Sequence, residues 1–477
     1  MLCLFCIGGK ENAKRLAILI NCVYNKKDKT QEKSECMSLY RKEFGEGIFY
    51  NHLQTDVFKT SSFSVNFVVP LQRETAAIYT VLPMILHRGC RLYPDRRAVS
   101  RRLEELYGTA LSVRNYKRGE LQVINFTVNM IDNAYLPAEE GADVFSEALS
   151  LLSNVLTDPV LEDGHFLQTY TDSEIKNCMD TIRAAINNKM RYAFDRCSEL
   201  MFEGERYGIP ADGYLEDYCV LTPKTLMPFY RHMLENARIE LFYGGKQEPK
   251  DIEPIARRLF QNINRCCDGT LPYAELNVNV QAVRHFDEST PAEQGKLVIG
   301  FRTPITGIHE DAYAFSVFNE IYGGSAASKL FMNVREKKSL CYSCSSTGDL
   351  AKGVLFAYAG IENENKEITV AEITKQLDIM RQGNISDEEL HCAKQSIISG
   401  YQSLSDSLSA MEVWHLRHIL CDFRQEPEEV IKKIASITRE DVVRVANGLV
   451  LDTIYFLKGD KSAFYNKADV EEEEDAD

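Results

Sequence analysis

The chain has 477 residues, a formal net charge of −15 and 14 cysteines. That length is too great for one ordinary core and implies more than one domain. The acidity, with no long Lys/Arg cluster to offset it, excludes a general nucleic-acid binder. Irregular cysteine spacing in so large a chain excludes a disulfide scaffold and points to reduced thiols in the cytoplasm. No apolar run is long enough to cross a membrane. "LAILINCVY" (Leu16–Tyr24) is far too short, and the start "MLCLFC" lacks the basic region that precedes a secretory signal's apolar stretch. Residues 1–44 are expected to be a poorly defined extension.

Further along, "SSFSVNFVVPL" (Ser61–Leu71) is rich in β-branched and aromatic residues and predicts a strand. A helix is predicted over Thr75–His87. "DRRAVSRRLEELYG" predicts another, with Val99, Leu103 and Leu106 on one face and Gly108 at its end. "LSVRNYKRGELQVINFTV" predicts two strands around a Lys-Arg-Gly turn. Ile124, Phe126 and Val128 alternate in the second. "GADVFSEALSLLSNVLTDP" predicts a helix stopped by Asp-Pro.

The second half runs through the same order. "GKLVIGFRTPI" predicts a strand and turn, and "EDAYAFSVFNEIYGG" a helix ending at glycines. "SKLFMNVREKKSLCYSCSSTGDLAKGVLFAYAGI" predicts a short helix and two strands. The ends of the halves also echo: "ARIELFYGG" resembles "LDTIYFLKGD" in strand and glycine turn. A period of about 200 residues indicates duplication rather than a solenoid. The expected organisation is an N-terminal domain at 45–265, a polar linker at 266–290, a C-terminal domain at 291–468 and an acidic tail at 469–477. The tail's like charges have no apolar surface to bury.

The stretch "NEIYGGSAASKLFMNVREKKSLCYSCSS" (Asn319–Ser346) combines a glycine turn, a Leu-Phe helix start, Arg-Glu-Lys and a Leu-x-Tyr strand. It resembles the M16 family of zinc peptidases, which includes the mitochondrial processing peptidase, the cytochrome bc1 core proteins and bacterial relatives. The resemblance spans about Gly45 to Asp460. It implies an α+β fold of two homologous LuxS/MPP-like metallohydrolase domains, each a mostly antiparallel sheet packed against helices, facing one another across a cleft.

Active members of that family hold zinc with His-x-x-Glu-His on the first long helix. Ligands at i and i+4 share one helix face, and the glutamate beside them takes a proton from zinc-bound water. Aligning that helix on "HRG" (His87–Gly89) puts Thr80 and Met84 at the histidine positions and Pro83 at the glutamate. Threonine is a poor zinc ligand, proline offers no acid or base, and a thioether is too soft for hydrolytic zinc. The downstream glutamate position falls at Asp180 or Thr181, where Asp180 has the alternative of a solvated helix residue. Val81, Met84 and Ile85 are expected to pack between sheet and helix, with Pro83 near the helix start, where its missing N–H costs nothing.

Arg335 and Tyr342 match family residues that help bind the peptide or its tetrahedral intermediate. The alternative is structural, with Arg335 paired to Glu336 and Tyr342 half-buried in the sheet. The resemblance implies an inactive homologue without peptidase activity of its own. Its expected role is the non-zinc subunit of a heteromeric peptidase, with no cofactor in this chain and zinc in a partner of the same family. The substrate would be an extended peptide, with the strand around Leu111–Tyr116 as the candidate docking edge. A homodimer, an assembly protein like the respiratory-complex core proteins and a stand-alone peptide-binding module stay open as alternatives. Neither nucleic acid nor membrane is an expected partner.

Other motifs carry weaker signals. Cys3/Cys6 and Cys341/Cys344 have metal-knuckle spacing without a second pair. The latter are expected on opposite faces of a strand. Cys266–Cys267 has no nearby histidine pair. His415 and His418 stand one helical turn apart, but no acid joins them or His391.

Overall fold

A computed structural model describes residues 39–136, 143–272, 274–421 and 425–462. Cys3, Cys6, the apolar run at 16–24 and the acidic tail lie outside the described residues.

The first half opens with β1 (Leu39–Gly45), β2 (Ile48–Gln54) and β3 (Thr60–Pro70). Helices α1 (Arg73–Leu86) and α2 (Arg96–Glu105) follow, then the hairpin β4 (Ala110–Arg118)–β5 (Leu121–Ile131). Four longer helices come next, α3 (Val144–Thr157), α4 (Gln168–Ala184), α5 (Lys189–Met201) and α6 (Pro223–Asn236), with a single helical turn at Leu215–Tyr218 before the last. Strand β6 (Arg238–Gly245) and helix α7 (Pro249–Arg258) end the half. Strand β1 therefore begins inside the segment expected to be an extension, antiparallel to β2. The sheet order is β1-β2-β6-β3-β5-β4, and only β2 and β6 run parallel.

The second half opens with β7 (Arg284–Pro291), β8 (Gly295–Arg302) and α8 (Ala312–Asn319), which continues as a π-helical turn through Gly324. A further π-helical segment at Phe331–Lys337 leads to the hairpin β9 (Cys341–Asp349)–β10 (Val354–Ile361). Helices α9 (Lys366–Arg381), α10 (Asp387–Gln402), α11 (Leu408–Ile419), α12 (Pro427–Ser436) and α13 (Arg439–Asn447) precede β11 (Val450–Asp460). The sheet order is β9-β10-β8-β11-β7, with only β7 and β11 parallel. Taken from its other edge, this is the order of the first sheet without β1. In both sheets the last strand of the half lies parallel to the first strand of this shared order, β2 in one and β7 in the other, which is the physical content of the echo between "ARIELFYGG" and "LDTIYFLKGD". The chain is thus two copies of one α+β unit.

The central strands of each sheet are buried on both faces, and the two covers come from different halves. In β3, Phe63, Val65 and Phe67 face a core shared with α1, α3 and α6. The alternate residues face α11 of the second half. Val68 packs with Leu416 and Ile419, and Ser64 donates to the Glu412 carboxylate. Reciprocally, Ala193, Cys197 and Met201 of α5 lie on Val298, Phe356 and Tyr455 of the second sheet. Small residues let the helices approach. A Cβ on Gly300 would come within 2.4 Å of Met201 Sδ, and one on Gly244 within 3.0 Å of Leu408 Cδ2. This exchange explains why β3 reads as a nearly unbroken apolar run rather than a clean alternation.

The two hairpin turns also meet. Lys352, after β9, reaches Glu120 of the first half at 2.5 Å and Glu205 at 2.7 Å, and donates to the Glu275 carbonyl at 2.6 Å. Lys352 and Glu120 are both buried.

Candidate functional site

Thr80, Pro83 and Met84 lie on α1, Thr80 and Pro83 buried and Met84 packed at the margin of the first core. Pro83 does not stand near the helix start, as expected from the sequence. The helix begins at Arg73, and Pro83 occupies its last turn, where its carbonyl accepts the His87 N–H at 3.0 Å. Gln72, the residue before the helix, caps it with no side-chain bond, so the usual start signal is missing there. Inside the helix the proline forfeits an N–H bond to the Tyr79 carbonyl and its ring crowds that carbonyl, a cost carried by the buried packing of α1.

Thr80 is the centre of a neutral hydrogen-bond network. Its hydroxyl reaches the Ala76 carbonyl at 2.9 Å and the Ala211 carbonyl at 3.2 Å. Asn115, from β4, donates to Thr80 Oγ1 at 2.7 Å and reaches the Ala211 carbonyl at 3.2 Å and Asp212 Oδ1 at 3.3 Å. Gln122, from β5, donates to the Ala211 carbonyl at 2.9 Å. Three neutral donors thus converge on one backbone carbonyl. The segment carrying it lies directly on α1, because Gly213 has φ +68° and a Cβ there would meet the Ala77 amide nitrogen at 2.9 Å.

The donor set does not fit zinc. N–H and O–H groups aimed inward oppose a cation, and Gln122 Oε1 is the one buried amide oxygen of the network left without a partner. No group of three or more His, Cys, Asp or Glu suited to a metal occurs among the described residues. Burial raises the Asp212 carboxyl above its ordinary range, against hydrogen bonding by Asn115 that lowers it. Burial likewise pushes the Cys178 thiol on α4 up to about 12.

A cavity of about 600 Å³ opens beside this network, lined by Asn115, Lys117, Thr181, Arg191, Asp212 and Tyr214 among others. Of the two candidates for the third ligand position, Thr181 lines the cavity. Asp180 is exposed and pairs with Arg183 at 2.9 Å. Lys117 donates to the Tyr207 carbonyl at 2.7 Å, and burial brings its ammonium down to about 8. Strand β4, holding Leu111–Tyr116, is the edge of its sheet, and no described strand pairs with its outer side.

Arg335 and Tyr342 do not line this cavity. Arg335 sits on the π-helical segment, over the Phe331 ring at 4.5 Å and 3.6 Å from Glu336. Tyr342 is 64% exposed at the start of β9, not half-buried in the sheet. A β-bulge between Cys341 and Ser343 is responsible. The same bulge overturns the expectation that Cys341 and Cys344 face opposite sides. The extra residue restores the phase, and both thiols are buried in the second core. His415 and His418 pack about Trp414, with ring centroids 4.9 and 4.2 Å away, and His418 Nδ1 lies 2.7 Å from the Trp414 carbonyl. Cys266 donates to Asn236 Oδ1 at 3.1 Å.

Sequence reasoning did not find Asn115, Gln122, Asp212 or the Ala211 carbonyl, which come from three separate segments. It also passed over Glu174, a buried acid of α4 held by Arg88 at 2.5 Å. The apolar run around Gln122 held the one available signal, a lone buried amide.

Residues 221–397 match the profile of the family described as "Peptidase M16 inactive domain". A probable inactive metalloprotease of Bacillus subtilis, YmfF, is 29% identical over 417 residues, covering 87% of this chain and 97% of that protein. An uncharacterized zinc protease of Mycobacterium tuberculosis is 32% identical over 315 residues, covering 65% of this chain and 71% of its own. The crystal structure of a conserved protein from Enterococcus faecalis superposes with a TM-score of 0.82 at 26% identity, covering 89% of this chain and 99% of that one. The peptidase M16 inactive domain from Pseudomonas fluorescens shares the fold, with a TM-score of 0.73 at 16% identity over 89% of this chain and 98% of that one.

Proposed function

The chain belongs to the M16 peptidase family as an inactive homologue, and from that premise we propose that it is the non-zinc subunit of a heteromeric peptide-processing peptidase. It would close the peptide chamber against a zinc-bearing relative and contribute Arg335 and Tyr342. The observation that carries this is an asymmetry between the halves. Around Thr80, neutral donors are committed to the Ala211 carbonyl, whereas Tyr342 is held out to solvent by a bulge with Arg335 nearby in sequence. A guanidinium and a phenol can stabilise negative charge on a carbonyl oxygen under attack. The outer edge of β4, which no described strand pairs with, suits an extended peptide held by main-chain hydrogen bonds.

No helix among the described residues is long and apolar enough to cross a membrane, and every described cysteine is a free thiol. Both features suit the cytoplasm.

The test is co-purification from the native cell followed by reconstitution with any zinc-bearing relative recovered. In single-turnover peptide cleavage, Tyr342→Phe is expected to cost about tenfold or more while leaving assembly intact, and Arg335→Ala at least as much. An active pair indifferent to both substitutions rejects their contribution. Recovery of the chain alone or as a homodimer favours a stand-alone peptide-binding module, and recovery in a larger assembly without peptidase favours a structural role.

A further inference from the structure

A second cavity lies where the turn after β4, the turn after β9 and helix α11 come together. It shares no lining residue with the cavity beside Thr80. It encloses about 70 Å³, enough for a carboxylate-sized group. It shares Arg118, Gly307, Leu350, Ala351 and Cys421 with an adjoining hollow of about 230 Å³, whose walls include Leu121, Leu276, Ile308 and Leu420.

The lining of the smaller space is unusual in its donors. Trp414 is 6% exposed, and its indole N–H is buried with no acceptor among the described residues. The same holds for the Tyr313 hydroxyl and for Arg118 Nε. Arg417 lines the cavity too, and it opposes the charge of Arg118. Asp349 acts on Arg417 electrostatically, but its oxygens accept from Tyr207 Oη at 3.0 Å and the Ala351 N–H at 2.9 Å. Buried donors without acceptors are costly, and the neighbouring guanidiniums of Arg118 and the more exposed Arg417 add a solvent-screened repulsion. A carboxylate is acceptor-only and can answer several donors at once, with charge-assisted bonds to arginine. The leucine- and isoleucine-walled hollow gives an attached apolar chain a place to be buried.

We propose that this cavity binds an organic carboxylate bearing an apolar chain, its carboxylate held by Arg118, Arg417, Tyr313 and Trp414 and its chain in the adjoining hollow. This site is independent of the peptidase partnership and of the Thr80 network. The ligand's chemistry could come from a free acyl chain or from the C-terminus of a peptide ending in an apolar residue.

Trp414 is the chain's single tryptophan, so its emission reads the cavity directly. The full-length protein is titrated at constant ionic strength with sodium octanoate and with N-acetyl-leucine. Octanol and N-acetyl-leucinamide serve as the neutral counterparts. A saturable emission change is expected with at least one carboxylate and with neither neutral compound. Octanoate alone points to a free acyl chain, and N-acetyl-leucine alone to a peptide terminus. Arg417→Gln is expected to weaken binding about tenfold or more, and Tyr313→Phe, which removes one oxygen and keeps the ring, about fivefold or more. The proposal is overturned if neither carboxylate gives a saturable response up to about 10 mM, a concentration that already admits very weak binding. It is overturned equally if the neutral compounds or inorganic phosphate respond as strongly, or if both variants bind within about twofold of the parent, a difference too small for a lost charge-assisted bond.

Discussion

Replacing Lys352 by methionine tests how the halves are held together. The ammonium answers two acids and one carbonyl: Glu120 at 2.5 Å, Glu205 at 2.7 Å and the Glu275 oxygen at 2.6 Å. These partners do not suffer equally. Glu205 keeps Arg302 at 2.9 Å, whereas among the described residues Lys352 is the only cation paired with Glu120, which is buried. The variant therefore strands one carboxylate rather than two. Removing one member of a buried pair costs roughly 3–5 kcal/mol, so a loss of about 3–4 kcal/mol is expected. The pair itself is worth less than that, because burying both charges was already expensive. Lys352→Met combined with Glu120→Gln should accordingly recover about half of the loss or more, since no charge is then left alone. Equilibrium urea unfolding, followed by Trp414 emission and by far-ultraviolet circular dichroism, measures both variants. A Lys352→Met loss below about 1 kcal/mol, or a double variant as damaged as the single one, refutes the reasoning.

Three further outcomes are expected. Equilibrium dialysis of the purified chain should find less than one zinc per molecule and no metal-dependent peptide cleavage, because the donors around Thr80 oppose a cation; tight one-to-one zinc with chelator-sensitive activity contradicts this. Stability should fall as pH drops from about 6.5 towards 4, by up to about 1.4 kcal/mol per pH unit for each buried histidine, because the unfolded chain takes up the proton first. Burial lowers His52 to about 4, its Nε2–H bonded to the Gln247 carbonyl at 3.0 Å and Nδ1 accepting from Tyr50 at 2.5 Å, and His52→Gln should flatten the unfolding profile by one proton. Gly300→Val should cost about 1–3 kcal/mol in thermal or urea unfolding, because its side chain must displace Met201 from the second sheet.

Much of the fold was legible because its signals are local. The alternation in β5 marks a strand, the Lys-Arg-Gly turn marks a hairpin, and the recurrence of strand and glycine turn at the ends of the halves marks the repeat. What escaped depends on information that is not local. An amphipathic helix declares an apolar face but not the sheet that receives it, so nothing in α5 or α11 announced that each covers the opposite half. A period-two pattern assumes an unbroken strand, so the bulge beside Tyr342 put Cys344 on the wrong side. At the Thr80 site the sequence offered an alignment of Thr80, Pro83 and Met84 with a zinc motif on one helix. The hydrogen-bond network there was not visible, because Asn115, Gln122 and Ala211 meet only after β4, β5 and the loop at 209–214 have folded together.

The crossed helices have a consequence for how such a chain can be divided. A gene split in the connector between α7 and β7 would give two polypeptides, each with a complete set of strands and an uncovered sheet face. The exposed faces would hold Val68, Val123 and Phe242 on one fragment and Val298, Phe356 and Tyr455 on the other. Apolar surface of that kind recruits whatever is nearby, and the best-fitting object is the other fragment's helix. Severed halves would therefore be poor soloists and good complements, useless apart and self-assembling when made together. The duplication that produced two equivalent units has, by trading one helix each way, made them a single inheritance.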